Sequence, residues 1–102
     1  SIMRGLFDHL MDREFSDADR TRVVDIAKKH AQVRNVHDLR TRSSGVQQFI
    51  QLHLELDGHL TLNQAHEIAD QVEILIAQAF PGAQVIIHQD PAGLDEGHPD
   101  FT

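Results

Sequence analysis

The chain has 102 residues, a net charge of −7, and 40% hydrophobic and 25% charged residues. That is enough for one compact domain with one core, and it makes nucleic acid and anionic membrane surfaces poor partners. Cysteine is absent, which excludes disulfides, thiolate metal sites and cysteine catalysis.

Eight histidines are present where average usage gives about two or three, so the excess asks for a reason. No segment is apolar for long enough to cross a bilayer, and no secretory signal is present. The chain starts at Ser1 without an initiator Met and is expected to be a piece of something longer.

In chain order, Ile2, Met3, Leu6, Phe7, Leu10 and Met11 recur at helical spacing. They read as a short amphipathic helix or the trailing end of a preceding one. Asp12, Arg13 and Glu14 follow as a charged junction. Ser16 is placed to cap a first helix, with Asp17 and Asp19 at its positive end. Val23, Val24, Ala27 and Ala31 form its apolar stripe, predicting a helix over 17–30. A weakly alternating strand is expected over 35–41, then a turn at Ser43-Ser44-Gly45 with Gly45 available for positive φ.

Residues 47–56 give the clearest strand. Ile50, Leu52, Leu54 and Leu56 take one face, and Phe49, Gln51, His53 and Glu55 the other. Thr61 is a good cap for a second helix to about residue 80, striped by Leu62, Ala65, Ala69, Val72, Ile76 and Ala79. Pro81-Gly82 breaks it. A third strand is expected over 84–90, buried and ended by Pro91, which has no N–H to donate. The polar, turn-rich text over 92–102 reads as a disordered tail.

The order αββαβ predicts an α+β sandwich, with a three-stranded mixed sheet and two helices on its apolar face. The second helix is the crossover that sets strand 3 parallel to a hairpin strand.

His88 and Asp90 stand two residues apart at the end of strand 3, so both point the same way. An imidazole beside a carboxylate can hold a divalent transition metal. His53 lies on the polar face of strand 2, His37 shares a face of strand 1 with Asn35, and His66 lies in the first turns of helix 2. Taken singly, each is compatible with an ordinary exposed, boundary or hydrogen-bonded histidine. Four histidines and one carboxylate spread over four regular elements are better explained together, as ligands the fold gathers.

Imidazole nitrogens with one carboxylate suit Zn²⁺, Fe²⁺, Co²⁺ or Cd²⁺ and disfavour Ca²⁺ and Mg²⁺, which take oxygens. Five side chains exceed the need of one tetrahedral zinc. A two-metal site bridged by Asp90 would use them all. His9, His30, His59 and His98 read as surface residues, and Arg40-Thr41-Arg42 as a solvated stretch more than an anion site.

Four runs carry a family resemblance: Val36-His37-Asp38-Leu39-Arg40-Thr41-Arg42, Phe49-Ile50-Gln51-Leu52-His53-Leu54-Glu55, Gln64-Ala65-His66 and Val85-Ile86-Ile87-His88-Gln89-Asp90-Pro91. From about Leu10 to Pro91 the chain resembles the C-terminal cytoplasmic domain of cation diffusion facilitators, in particular their bacterial zinc and ferrous-iron efflux branch.

The resemblance implies a metallochaperone-like (ferredoxin-like) αββαβ fold and a V-shaped homodimer. The domain would hang from a membrane domain that exchanges a divalent cation for protons, on the cytoplasmic side of the inner membrane. It further implies that His37, His53, His66, His88 and Asp90 bind two zinc ions near the dimer contact, with Gln89 assisting through backbone or side chain. Asp12 would pair with charge on the membrane domain.

On this reading residues 1–14 are a linker stub, 15–91 the metal-binding domain and 92–102 a tail. The expected function is regulatory metal sensing and dimerisation, with no catalysis. The alternatives are a free-standing soluble metal chaperone, and a metallohydrolase with Glu55 as base. The latter lacks the pocket-forming loops that catalytic zinc sites use.

Overall fold

The structure, a computed structural model, describes residues 13–93. The expected helix over 2–11, Asp12, His9, His98 and all of the tail beyond residue 93 lie outside the described residues. The element order is α1 (Asp17–Lys28), β1 (Asn35–Ser44), β2 (Gln47–Leu56), α2 (Leu62–Ala79) and β3 (Gln84–Pro91). The sheet order is β1-β2-β3, with β1 antiparallel and β3 parallel to the central β2. This is the predicted mixed sheet, with α2 as the crossover.

Ser16 caps α1, its Oγ accepting from the Asp19 N–H at 3.1 Å. The helix stops two residues before its predicted end. The Lys29 N–H already reaches the Ile26 carbonyl as well as that of Asp25, the tightened geometry of a last turn. His30 then turns inward, half-buried rather than the surface residue expected. Its Nδ1 accepts from the Gln32 N–H at 3.1 Å and its Nε2 meets Gln71 Oε1 at 2.5 Å, tying the end of α1 to α2. β1 outruns its predicted end by three residues because the hairpin loop is only Gly45-Val46. Gly45 has φ 61°, the conformation a two-residue hairpin asks of its first residue.

The alternation of β2 is realised in full. Ile50, Leu52, Leu54 and Leu56 are buried under both helices, against Val23 and Ala27 of α1 and Ile68, Val72 and Ile76 of α2. Phe15 and Phe80 close one end of the core, their ring centroids 5.7 Å apart. Leu62, expected in the α2 stripe, is 87% exposed, and Ile68 takes a core place instead. The buried run 68, 69, 72, 76 keeps the three- and four-residue intervals of one face.

Two expectations for β3 are corrected. It is an edge strand, and because both helices cover the other side of the sheet, Ile86 is 44% exposed on the open face. Pro91 does not end the pairing. It sits opposite Leu56, and the next N–H, that of Ala92, donates to the Leu56 carbonyl at 2.7 Å. The missing N–H of Pro91 falls on the free side of the edge, where no acceptor is lost.

The incoming chain is stitched to β1. Arg13 and Ser43 exchange both backbone hydrogen bonds, at 2.9 and 2.7 Å. Thr41, buried within the core face, accepts at Oγ1 from the Phe15 N–H and from Arg20, whose guanidinium also reaches the Leu39 carbonyl and Glu14. At the other end, the turn after β2 is held by Asp57. Its carboxylate accepts from the His59 N–H and faces Arg34. The backbone N–H of His59, first, and its ring hold the Asp57 carboxyl below the ordinary carboxylate range. Its contribution to stability is therefore present above that range and lost as pH falls through the lowered value.

α2 opens with a reciprocal cap. Thr61 Oγ1 accepts from the Gln64 N–H at 3.1 Å, and Gln64 Oε1 accepts from the Thr61 N–H at 2.9 Å. Thr61→Ala is expected to lower unfolding free energy by about 1 kcal/mol, read from the urea midpoint at unchanged slope.

Candidate metal centre

The sheet face away from the helices is laid out in rows by the register. His37, His53 and His88 are lateral neighbours across the three strands, and Asn35, Glu55 and Asp90 form the next row. The period of two that buries the leucines of β2 necessarily turns His53 and Glu55 outward. The rings stack across the strands, with centroids 5.1 Å apart for His37 and His53 and 4.6 Å for His53 and His88.

Asp90 is the point of convergence. Its Oδ2 lies 3.1 Å from His37 Nε2 and 3.0 Å from His53 Nδ1. One ligand atom each from His37, His53 and Asp90 all lie within 4.8 Å of one another. Two imidazole nitrogens and a carboxylate oxygen at that spacing, half-open to solvent, are a donor set that fits a zinc-like dication. His88 borders the cluster by stacking on His53 without joining the three convergent atoms.

Two other expected members stand apart within the chain. His66 is 72% exposed on α2, its Nε2 3.3 Å from Asp70 Oδ2 one turn on, and it lies outside the convergent group. Gln89 lies between His88 and Asp90 and opposite Leu54, so its side chain belongs to the helix side of the sheet. Within one chain only its backbone is near the cluster.

Two carboxylates that the sequence reading did not count as ligands border the site. Glu55 Oε2 is 2.9 Å from His37 Nδ1. Asp38 Oδ2 is 3.7 Å from His53 Nε2. Glu55 was legible as a neighbour, since alternation puts it on the face of His53. Asp38 was not. It is the extra residue of a β-bulge, where the register slips between His37 and Arg40, and its φ is 57°. Without the slip it would face the helices. The weak alternation of β1 was the sequence trace of this bulge, and aspartate is among the few residues that tolerate that conformation.

Residues 15–92 match the family described as "Cation efflux protein, cytoplasmic domain". The chain is 53% identical over 85 residues to the cation-efflux pump FieF of Salmonella newport (strain SL254), covering 83% of this chain and 28% of that protein. It is 41% identical over 96 residues to Protein p34 of Rickettsia prowazekii (strain Madrid E), covering 94% of this chain and 32% of that protein. The chain thus spans about a third or less of the curated relatives it matches.

Among solved structures it is similar to the zinc form of CzrB, with TM-score 0.74, 33% identity, and coverage of 84% of this chain and 99% of that one. It is also similar to the cadmium form of a MamM CTD variant, with TM-score 0.69, 25% identity, and coverage of 74% and 95%.

Proposed function

The chain belongs to the cytoplasmic-domain family of cation efflux proteins, and on that premise we propose that it is the metal-sensing and dimerising domain of a divalent-cation/proton antiporter. In this reading residues 1–14 lead in from a transmembrane domain, with Asp12 against membrane-domain charge, and residues 15–91 bind metal on the cytoplasmic side of the inner membrane. Among the described residues no helix is long and apolar enough to cross a membrane.

The observation that carries the proposal is the convergence of His37, His53 and Asp90 on the open face of the sheet. The cargo and the regulator would be the same class of ion, Zn²⁺ foremost and Fe²⁺, Cd²⁺ or Co²⁺ by similar ligand preference. Two zinc ions per chain would use His37, His53 and His88, with Asp90 shared between the metals. His66 and the side chain of Gln89 lie away from the cluster in their own chain. They can serve it only from a second copy, which ties metal binding to a homodimer. Metal that binds the joined protomers better than the separated ones shifts the pair, and whatever is attached to it, by that difference in affinity. In this reading the site binds metal without catalysis, and Glu55, the base the hydrolase alternative offered, stands against a ligand histidine.

The test is zinc stoichiometry per chain measured together with mass in solution. Two zinc ions per chain in a species of dimer mass support the proposal; a chain that binds no zinc overturns it. Zinc is also expected to raise the melting temperature, since a ligand stabilises the state it binds. Protons compete for imidazole nitrogens below about pH 6.5. The rise should therefore shrink toward about pH 5, as scanning calorimetry with and without zinc would register. An equal rise at both ends of that range would count against a histidine site.

A further inference from the structure

We propose that Glu55 is a positioning residue for metal binding, holding His37 so that Nε2, and not Nδ1, is offered to the metal. This rests on the reading of His37, His53 and Asp90 as the metal site and names what prepares it.

His37 has a carboxylate at each ring nitrogen, Asp90 Oδ2 at 3.1 Å from Nε2 and Glu55 Oε2 at 2.9 Å from Nδ1. A neutral imidazole has one N–H and one lone pair. An ion among His37, His53 and Asp90 needs the lone pair on Nε2, so the proton must sit on Nδ1, and the oxygen placed to accept it is that of Glu55.

Glu55 is not a fourth member of the converging set, whose atoms are those of His37, His53 and Asp90. It stands behind the ligand, as carboxylates do behind many metal-bound histidines. Its position is firm. It lies on the central strand between Asn35 and Asp90, with its side chain 26% exposed against 42% for His37. Asp38 does a weaker version of the same for His53. At 3.7 Å from Nε2 it is beyond hydrogen-bond length, and it shares its charge with Arg40.

The experiment compares the parent chain with Glu55→Ala and Glu55→Gln, each first checked for an unchanged metal-free melt. Nitrogen-15 spectra of the histidine rings are taken without metal at about pH 8, above the ordinary imidazole range, and zinc affinity is measured by calorimetry. The metal-free parent should carry the His37 proton on Nδ1 in a larger share of molecules than Glu55→Ala does, with Asp90 competing for it at Nε2. Glu55→Ala should move that proton toward Nε2 and weaken zinc binding about 10–100-fold. Glu55→Gln, which keeps an acceptor oxygen, should restore the Nδ1 proton and recover part of the affinity.

Unchanged tautomer and affinity in Glu55→Ala overturn the proposal. So does lost affinity with an unchanged tautomer, which would make Glu55 a direct ligand. A parent that binds no zinc overturns the site reading instead, while the metal-free spectra still judge the role of Glu55.

Discussion

Asp90→Ala is expected to lose both zinc ions together, with affinity falling at least about 100-fold. That floor is the upper end of what removal of a group merely behind a ligand costs, and Asp90 is in front. A single oxygen of Asp90 faces both His37 Nε2 and His53 Nδ1. Bridging carboxylates hold paired metals about 3.5–4 Å apart, and in this site Asp90 is the proposed shared ligand. Its loss removes a donor from each metal and a negative charge that offsets two dications. His66→Ala should weaken one equivalent more than the other. His59→Ala, at a side chain 99% exposed and away from the cluster, should change neither. Calorimetric titration of the three variants decides it. Two zinc ions per Asp90→Ala chain at near-parental affinity would leave the bridge without support.

Leu52→Ala should produce the largest loss of stability. Leu52 is fully buried at the centre of the middle strand, flanked inside by Ile50 and Leu54 and covered by both helices. Truncating such a leucine removes its burial and leaves a cavity, at about 2–5 kcal/mol. A domain of this size has about 5–15 kcal/mol in all. The melting temperature should drop by at least about 10 °C in metal-free protein, followed by circular dichroism. Because Leu52 points away from the metal face, zinc added to the folded variant should still bind. A cooperative metal-free melt of the parent chain is the companion expectation, since the core closes on the side of the sheet that carries no ligands.

These two residues mark what could and could not be read in advance. Leu52 and its companions were legible because period-two burial is written directly into β2. The same period turned His53 outward, and the register of three short strands then made His37 and His88 its neighbours. Asp90 followed from standing two residues after His88. The errors share one origin, which is that sequence patterns report a residue's own element and not what covers it. Ile86 looked buried because β-branched runs usually are, but it is 44% exposed, and among the described residues both helices lie on the other side of the sheet. Leu62 fitted the helical stripe yet, as the first residue of α2, is 87% exposed. Asp38 needed a bulge that the weak alternation of β1 hinted at without placing. His66 is a different case: it stands apart from the cluster within its own chain, and the proposed second copy is what would bring it to the metal.

The parallel pairing of β2 with β3 has a consequence for the order in which the site comes into being. The hairpin that sets His37 beside His53 closes through a two-residue loop, whereas Asp90 reaches them only after the whole of α2 has been laid down. Local pairings form early and distant ones late. An emerging chain therefore holds two histidines side by side, a weak trap for any free metal, well before the carboxylate arrives. We expect zinc that requires Asp90 to gain most of its hold beyond the folding barrier, with that late pairing. It should therefore slow unfolding far more than it speeds folding, making the loaded domain long-lived rather than quick to form.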